Sequence, residues 1–394
     1  MVDNRFIQRA NELRDEIVAT RRDFHAHPEL GFEEVRTAGI VAQRLTSLGL
    51  EVQTGVGKTG VVAVLEGEHE GPTVLVRADM DALPILEDND VSYRSLSDGR
   101  MHACGHDGHT AIALGVARML MDERERIHGR VKFVFQPAEE IAAGAAAMIE
   151  DGALGDPRPD VTVGLHLWNS LPIGKLGVAD GPTMAGCLNF IVRVRGKGSH
   201  AASPQHSADP VVAAAHIITA LQTIVSRNVD PFDTVVISAT TLRAGEAFNV
   251  IPEFAEIMGT VRYFQDAACQ LALRRMEEIV GGMAQAMGCT GEMTVMPKTV
   301  PVVNDPEVGR RLRARFAEVV GEDGLDTTIR TMGAEDVGLF MTGIPGMYFF
   351  VGAQDTTQTA YYAHHHPRFN VDEDALPLAA GLLATAVAEY VLPE

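Results

Sequence analysis

Apolar residues in the first fifty positions recur every three or four residues, which predicts two amphipathic helices. The first helix covers residues 4–22, where the apolar positions lie among arginines and glutamates. The second begins near Val35 and ends at Gly49, because glycine is typical of helix C-termini. Between them, a proline after His27 interrupts the pattern, since proline moves the preceding residue out of the α region. We interpret His25 and His27 as structural residues near a site, although roles as metal ligands stay open.

The remaining part of the first half alternates short apolar segments with helical patterns. The segments predicted to be strands are 61–65, 73–76, 130–135 and 161–165. Helices are predicted between them at 107–121 and 142–149. Strands that alternate with helices in this way indicate an α/β domain built on a largely buried sheet.

The pattern changes near residue 184. The next elements are predicted as strand 186–196, helix 209–227, strands 234–243 and 253–263, helix 266–287 and strand 292–296. This β-α-β-β-α-β order is ferredoxin-like. Helix 305–320, strand 347–351 and helix 374–391 then follow. The chain is therefore predicted to contain a catalytic domain in two parts, 1–183 and 298–394, with a small α+β domain inserted at 184–297.

Composition narrows the possible partners. At 394 residues the chain exceeds one ordinary core, which agrees with two domains. The formal net charge is −20 and no basic block stands out, so nucleic acid and anionic membranes are poor candidate partners. We expect a small-molecule substrate.

Cysteine usage and hydropathy indicate the compartment. The four cysteines are widely scattered, which is typical of a reducing environment rather than a disulfide framework. The N-terminal residues lack the apolar stretch of a signal peptide, and no uninterrupted apolar run is long enough to span a bilayer. These features predict a cytoplasmic protein.

Residues 101–109 carry the strongest chemical pattern. Cys104 and His106 lie two positions apart, so in an extended or tightly turned segment their side chains share one side. A thiolate beside an imidazole suits zinc or a similar transition metal. The alternative is a surface turn that is simply rich in histidine.

Polar groups at the ends of predicted strands favour the metal. Asp79 and Asp81 follow one strand, and Glu139 and Glu140 follow another. Ligands of open α/β sheets collect at the carboxyl ends of strands. Loop capping or pairing with an arginine is an alternative for the aspartates, and an N-cap role for one glutamate.

Two histidines complete the candidate ligand set. His166 ends the strand 161–165, and His365 lies in an internal run of three histidines. The candidate metal ligands are therefore Cys104, His106, Glu140, His166 and His365. They exceed one tetrahedral structural site, and suit a pair of divalent ions about 3.5–4 Å apart that activates water and polarises a carbonyl.

Three further residues are candidate catalytic groups. Glu139 lies beside a ligand without being needed as one, so it is the candidate general base. His200 follows a Gly-x-Gly turn and is the candidate donor to an oxyanion. Asp81 is the third candidate, at its strand end.

The combined motifs resemble peptidase family M20, the aminoacylase and glutamate-carboxypeptidase metallopeptidases. The segments that carry the likeness are 101–107, 136–140, 166–168, 198–202 and 365–367. The resemblance is to the amidohydrolase branch, with its hippurate, N-acyl-amino-acid and auxin-conjugate hydrolases. It implies hydrolysis of N-acyl amino acids by a zinc-peptidase-like catalytic domain with two divalent ions, zinc, manganese or nickel.

The resemblance also implies roles for the inserted domain. It would be a lid that pairs with a second copy, giving a homodimer or higher homo-oligomer. His200 would then reach the neighbouring subunit's site, while Asn249 would contact substrate and Arg262 would hold a carboxylate. The sequence departs from the family at Asp79, which takes the place of a ligand histidine two positions before Asp81. Whether Asp79 binds metal stays open.

Other functions fit part of the pattern. A dipeptidase or carboxypeptidase would use the same centre on a different substrate. A cysteine hydrolase with Cys104 as nucleophile and His106 as base would leave the other candidate ligands unused. A non-catalytic binding protein on this scaffold would have no need for Glu139.

Overall fold

A computed structural model describes residues 5–355 and 360–392. The α-helices in these ranges are α1 Arg5–Glu12, α2 Arg14–Ala26, α3 Val35–Ser47, α4 His106–Met121, α5 Gly144–Glu150, α6 Pro210–Arg227, α7 Asp266–Ala286, α8 Pro306–Val320 and α9 Ala375–Val391. The strands are β1 Glu51–Val56, β2 Gly60–Glu66, β3 His69–Asp79, β4 His128–Gln136, β5 Val161–Trp168, β6 Leu176–Gly177, β7 Gly181–Met184, β8 Gly186–Arg195, β9 Ser199–His200, β10 Val235–Ala244, β11 Val250–Ile251, β12 Phe254–Tyr263, β13 Thr290–Thr299, β14 Val302–Asn304, β15 Leu325–Asp326 and β16 Gly346–Gly352.

The described chain forms two compact units. Unit 1 comprises the residues up to Gly181, Val302–Arg330 and those from Asp336 onward. Unit 2 comprises Pro182–Pro301 and Thr331–Glu335. The predicted boundaries at 184 and 297 remain a prediction of functional domains, as does the lid role.

Unit 1 is built on an eight-stranded mixed sheet in the order β1-β2-β4-β3-β5-β16-β6-β15. The central strands β4, β3, β5 and β16 run parallel, whereas β1 and β2 pair antiparallel at one side. Parallel neighbours end at the same edge of a sheet, so the segments that follow β3, β4 and β5 lie next to each other.

Helices cover both faces of this sheet. Alternate residues along β3 show the two faces, since Val74 and Val76 belong to one buried cluster and Leu75 to another. The first cluster includes apolar residues of α2, α4 and α9, and the second includes Met148 of α5. The predicted fold class, a mixed sheet with helices on both faces, is confirmed.

Unit 2 contains a four-stranded antiparallel sheet in the order β10-β12-β8-β13. Its elements follow the chain order β8-α6-β10-β12-α7-β13, which is the ferredoxin-like arrangement. Apolar residues of α6 and α7, such as Ile217 and Met276, share one buried cluster with Val192 of β8.

Helix α6 also has the length and apolar composition of a membrane-crossing helix. A third of that helix is buried inside unit 2, including Ile217 and Leu221. Helices of soluble cores pass the same test, so this feature is weak support for a membrane.

The structure corrects the prediction at the N-terminal helix. The predicted helix 4–22 is two helices that meet at Leu13, and α2 continues past residue 22 to Ala26. Residue 4 lies outside the described residues. His25 therefore lies inside a helix, where its ring is fully buried. The proline acts only on the residue before it: His27, with φ −127° and ψ 59°, lies outside the α region and ends the helix.

Strand β1 was not predicted. Four of its six residues are exposed, and the strand lies at the edge of the sheet. A period-2 apolar pattern is therefore missing, although the backbone pairs regularly with β2.

Candidate metal centre

The candidate ligands converge at the carboxyl edge of the unit 1 sheet. Cys104 and His106 enter at the start of α4, and His166 lies near the end of β5. The ligand atoms of Cys104, His106 and His166 all lie within 4.8 Å of one another. Those of Cys104, Glu140 and His365 form a second such group. Cys104 belongs to both groups, which places two candidate ion positions side by side.

Individual distances show how close these side chains are. Cys104 Sγ lies 3.5 Å from His166 Nε2. His365 Nε2 lies 3.4 Å from Glu140 Oε2. His365 has a backbone φ of 68°, which is unusual for a residue with a side chain, and its N–H donates to the Ala103 carbonyl at 2.8 Å. The hydrogen bond to Ala103 stabilises this strained conformation.

Backbone carbonyls fix the orientation of two ligand histidines. His106 Nδ1–H donates to the Asp81 carbonyl at 2.9 Å, and His166 Nδ1–H donates to the Leu167 carbonyl at 2.8 Å. A carbonyl only accepts, so in the neutral rings Nε2 carries the lone pair. The buried Nε2 of His106 has no hydrogen-bond partner among the described residues. A buried, pre-oriented imidazole such as that of His106 is what a metal site requires.

The two glutamates follow β4 on a tight turn. Ala138 and Ala142 have φ values of 53° and 51°, so this turn contains two left-handed residues. The predicted catalytic Asp81 accepts the N–H of Glu140 at its Oδ2 over 2.9 Å, and its Oδ1 lies 3.3 Å from His106 Nδ1. Glu139 is 8% exposed, and its Oε2 lies 3.9 Å from His106 Nε2. The candidate base therefore borders the candidate metal positions.

Asp79 pairs with a buried arginine, one of the alternatives that the sequence left open. Arg77 Nη1 lies 2.5 Å from Asp79 Oδ2, and His109 Nδ1 lies 2.7 Å from Oδ1. The Leu167 N–H donates to His109 Nε2 at 2.9 Å, so the His109 proton is on Nδ1. Asp79 Oδ2 lies 3.7 Å from His106 Nε2. Burial opposes the charge, but His106, Arg77 and His109 hold the Asp79 pKa well below its usual value.

Sequence reasoning gave no role to His109. It joins the end of β3 to the end of β5, and its ring packs edge-on against His166 at 4.7 Å between centroids. Its place three residues after His106 on α4 is the one signal that could have indicated this role.

Burial shifts the pKa values of the Cys104 thiol and of the His166 ring. Burial, followed by the neighbouring Glu140, raises the pKa of the Cys104 thiol well above its usual value. Burial and the neighbouring His109 and His364 hold the pKa of His166 well below its usual value. The His166 ring is therefore neutral and able to donate its lone pair to a cation.

Unit 2 brings together two of its predicted residues. His200 and Asn249 line one concave pocket of about 470 Å³ together with residues of β9 and β11. Both residues are exposed, and His200 Nδ1 accepts a hydrogen bond from the Ala202 N–H at 3.0 Å. Arg262 lies on β12, where its backbone pairs with Cys187.

His25 takes part in a buried charged network beside the centre. Its Nδ1 and Nε2 lie 2.8 Å and 3.1 Å from carboxylate oxygens of Asp107 and Glu87. Arg21 Nε donates to Asp107 Oδ2 at 2.8 Å, and both side chains are fully buried. His27 contacts the Asp23 carbonyl instead, at 2.8 Å. Neither histidine belongs to the two ligand groups around Cys104.

We expect Arg21→Leu to lower the free energy of unfolding by about 3–5 kcal/mol, because it removes a fully buried cation from the Asp107 carboxylate and leaves His25 as its remaining close partner. Arg22→Leu is the matched control: Arg22 pairs with Glu373 but is 45% exposed. Exposed pairs contribute about 0–1 kcal/mol. Urea unfolding of both variants measures the difference, and equal losses would contradict the role assigned to the network.

Known proteins resemble this chain over nearly its whole length. A model of Peptidase family M20/M25/M40 matches residues 75–389. N-acetylcysteine deacetylase of Bacillus subtilis is 40% identical over 93% of this chain and 95% of its own length. Thermostable carboxypeptidase 2 of Saccharolobus solfataricus is 39% identical over 94% of both chains.

A solved structure agrees with both the fold and the sequence. The Bacillus subtilis YXEP protein, a dinuclear metal-binding peptidase from the M20 family, superposes with a TM-score of 0.84 and 35% identity. The match covers 95% of this chain and 97% of the other. The family resemblance and the expected class of enzyme, a hydrolase of amide or peptide bonds, are thereby confirmed. The chain belongs to peptidase family M20/M25/M40.

Proposed function

We propose that this hydrolase removes the acyl group from N-acyl amino acids, with Glu139 as the general base. The observation that carries the proposal is the convergence of Cys104, His106, Glu140, His166 and His365 beside the Glu139 carboxylate. The deacetylase relative supports an N-acyl amino acid as the substrate class.

We propose that these five side chains hold two divalent ions, since the two groups of candidate ligands overlap at Cys104. A thiolate among the ligands favours zinc or nickel, whereas the carboxylate also suits manganese. When bound, such ions lower the pKa of a water molecule and polarise the amide carbonyl.

The chain's own residues move the proton and stabilise charge. Glu139 Oε2 accepts a proton from the attacking water and returns it to the leaving amine. His200 donates a hydrogen bond to the carbonyl oxygen as negative charge develops there. Asp81 supports the centre by holding the Glu140 N–H and, through its carbonyl, the His106 ring. Asn249 and Arg262 bind the substrate, Arg262 through a carboxylate.

A dipeptidase or carboxypeptidase activity is the alternative that a specific observation favours, because the carboxypeptidase relative is almost as similar as the deacetylase. The cysteine-hydrolase alternative is disfavoured because it leaves Glu139, Glu140, His166 and His365 without a role, although candidate ligand groups bring Glu140, His166 and His365 to Cys104. A binding role without catalysis is tested with Glu139 below.

Metal removal tests the proposed function. We expect the purified protein to lose turnover of N-acetyl amino acids after dialysis against a chelator and to regain it with Zn²⁺ or Mn²⁺. Elemental analysis should give two ions per chain in the untreated protein and in the protein to which metal has been restored. Parallel assays of acyl amino acids and dipeptides decide between the two substrate classes, and full turnover in metal-free protein would reject the proposal.

We propose a homodimer or higher homo-oligomer that forms through unit 2. Strand β10 lies at the edge of its sheet, where a second copy can add a strand. The composition of helix α6 also favours an interface in unit 2, because the helix carries no Asp, Glu, Lys or Arg between Pro210 and Ser226. We also propose a cytoplasmic location, which the four free cysteines support.

A further inference from the structure

The segment Glu29–Glu34, called the 29–34 segment below, lies directly on the loops that follow β3 and β4. Leu30 pairs with Ala82, and the Ala82 N–H donates to the Glu29 carbonyl at 2.8 Å. A Cβ added to Gly31 would lie 3.0 Å from the Cα of Ala138. A side chain at position 31 would therefore push against the backbone of the glutamate turn.

Glu34 makes the polar contact with that turn. Its side chain is fully buried, and its Oε1 accepts the N–H of Ala138 at 2.8 Å. Its Oε2 accepts the Thr59 hydroxyl at 2.5 Å. Ala138 is one of the left-handed residues of the turn, a conformation that costs about 1–2 kcal/mol for a residue with a Cβ. The contact with Glu34 holds this strained residue one position before Glu139.

Glu34 lies at the N-cap position of α3, but its side chain makes no capping hydrogen bond to that helix. Glu29 caps the helix instead, accepting the backbone N–H groups of Arg36 and Thr37 at 2.9 Å and 2.8 Å. Because another carboxylate caps the helix, Glu34 is available for a turn 104 residues away.

We propose that Glu34 is a positioning residue, which sets the orientation of Glu139 and Glu140 by fixing the Ala138 peptide. This inference rests on the proposed function of those two glutamates. Losing the contact lets Ala138 relax toward an ordinary φ and turns both carboxylates away from the centre. A misplacement of about 1 Å costs about 10²-fold in rate, even when its cause lies away from the reacting atoms.

A matched pair of variants tests the role. Glu34→Gln keeps an acceptor oxygen for the Ala138 N–H, and the Thr59 hydroxyl can accept from the new amide. Glu34→Met has a similar volume but no acceptor. We expect Glu34→Met to lower kcat by about 10–100-fold with little change in KM, and Glu34→Gln to stay close to the parent enzyme.

Zinc binding provides a readout that needs no substrate. Competition with a chromophoric chelator should show that Glu34→Met weakens the weaker zinc site by about 10–100-fold, as supporting residues of metal sites do. Glu33→Gln is the control, because Glu33 is exposed and pairs with Arg100. If the parent enzyme binds zinc but hydrolyses no acyl amino acid, the proposed function fails while this test still applies.

A purely structural role predicts a different pattern. Glu34→Met would then unfold more easily in urea while the folded fraction kept its kcat and its zinc affinity, which overturns the proposal. If Glu34→Met does not fold, Gly31→Ala decides, because its methyl group displaces the Ala138 backbone without removing a hydrogen bond. Unchanged kcat and zinc affinity in Gly31→Ala also overturn the proposal.

Discussion

Replacing Glu139 with glutamine should lower kcat on an N-acetyl amino acid by about 10²–10⁴-fold while KM stays nearly constant. The amide has almost the same size as the carboxylate, so the turn after β4 should keep its shape. It cannot accept a proton at Oε2, however, and the water then lacks a base. Because proton transfer occurs only in the reaction, the loss falls on kcat rather than on substrate binding.

Metal content distinguishes the role of Glu139 as a base from the role of Glu140 as a metal ligand. Glu139→Gln should retain the bound ions of the parent enzyme, whereas Glu140→Gln should lose at least one, because Glu140 lies in a candidate ligand group with Cys104 and His365. Elemental analysis of both variants makes this comparison. Full turnover by Glu139→Gln would support a different base or a binding protein without catalysis.

A Cys104→Ser variant tests the cysteine mechanism in the same assays. If Cys104 is a metal ligand, the variant should hold less metal, since a serine hydroxyl binds soft ions more weakly than a thiolate. If Cys104 is a nucleophile, the variant should instead trap the acyl group as a stable serine ester, which mass spectrometry would detect. We expect reduced metal content and no ester.

Much of the centre could be predicted because its residues follow regular rules. Glu140 and His166 are far apart in sequence, but each lies at or near the end of a strand in one parallel set. Strand identity alone therefore brings them to one edge. The Cys104 segment added a second signal, because a thiolate and an imidazole two positions apart suit a transition metal, and the strand-end carboxylates and His166 favoured that interpretation over a histidine-rich surface turn.

The supporting contacts could not be predicted, since they depend on tertiary geometry. His106 and His166 are oriented by the carbonyls of Asp81 and Leu167. Every residue has a backbone carbonyl, so the identity of a residue does not indicate such a contact. Glu34 meets Ala138 across 104 positions, and Arg21 meets Asp107 across 86. Each charged residue resembles any other polar position on an amphipathic helix or loop until the fold buries it.

Mixing two inactive variants should restore activity if His200 completes the site of a second subunit, as the family resemblance implies. A His200→Ala subunit keeps its Glu139, and a Glu139→Ala subunit keeps its His200. In a mixed dimer, one site then holds an intact Glu139 and an intact His200 from the other chain. Random exchange in an equal mixture should restore about a quarter of the parental sites, although each parent variant is nearly inactive.

If His200 acts within its own subunit, the mixing experiment should give the opposite result. In that case every site in the mixture carries one defect, and the activity stays at the average of the two variants. Refolding or long incubation at low concentration allows the subunits to exchange, and Glu139→Ala mixed with itself is the control. A chain that remains monomeric at high dilution with full turnover would refute both the trans role of His200 and the need for assembly. Restored activity, by contrast, requires both that unit 2 pairs and that its exposed histidine acts on a neighbouring centre.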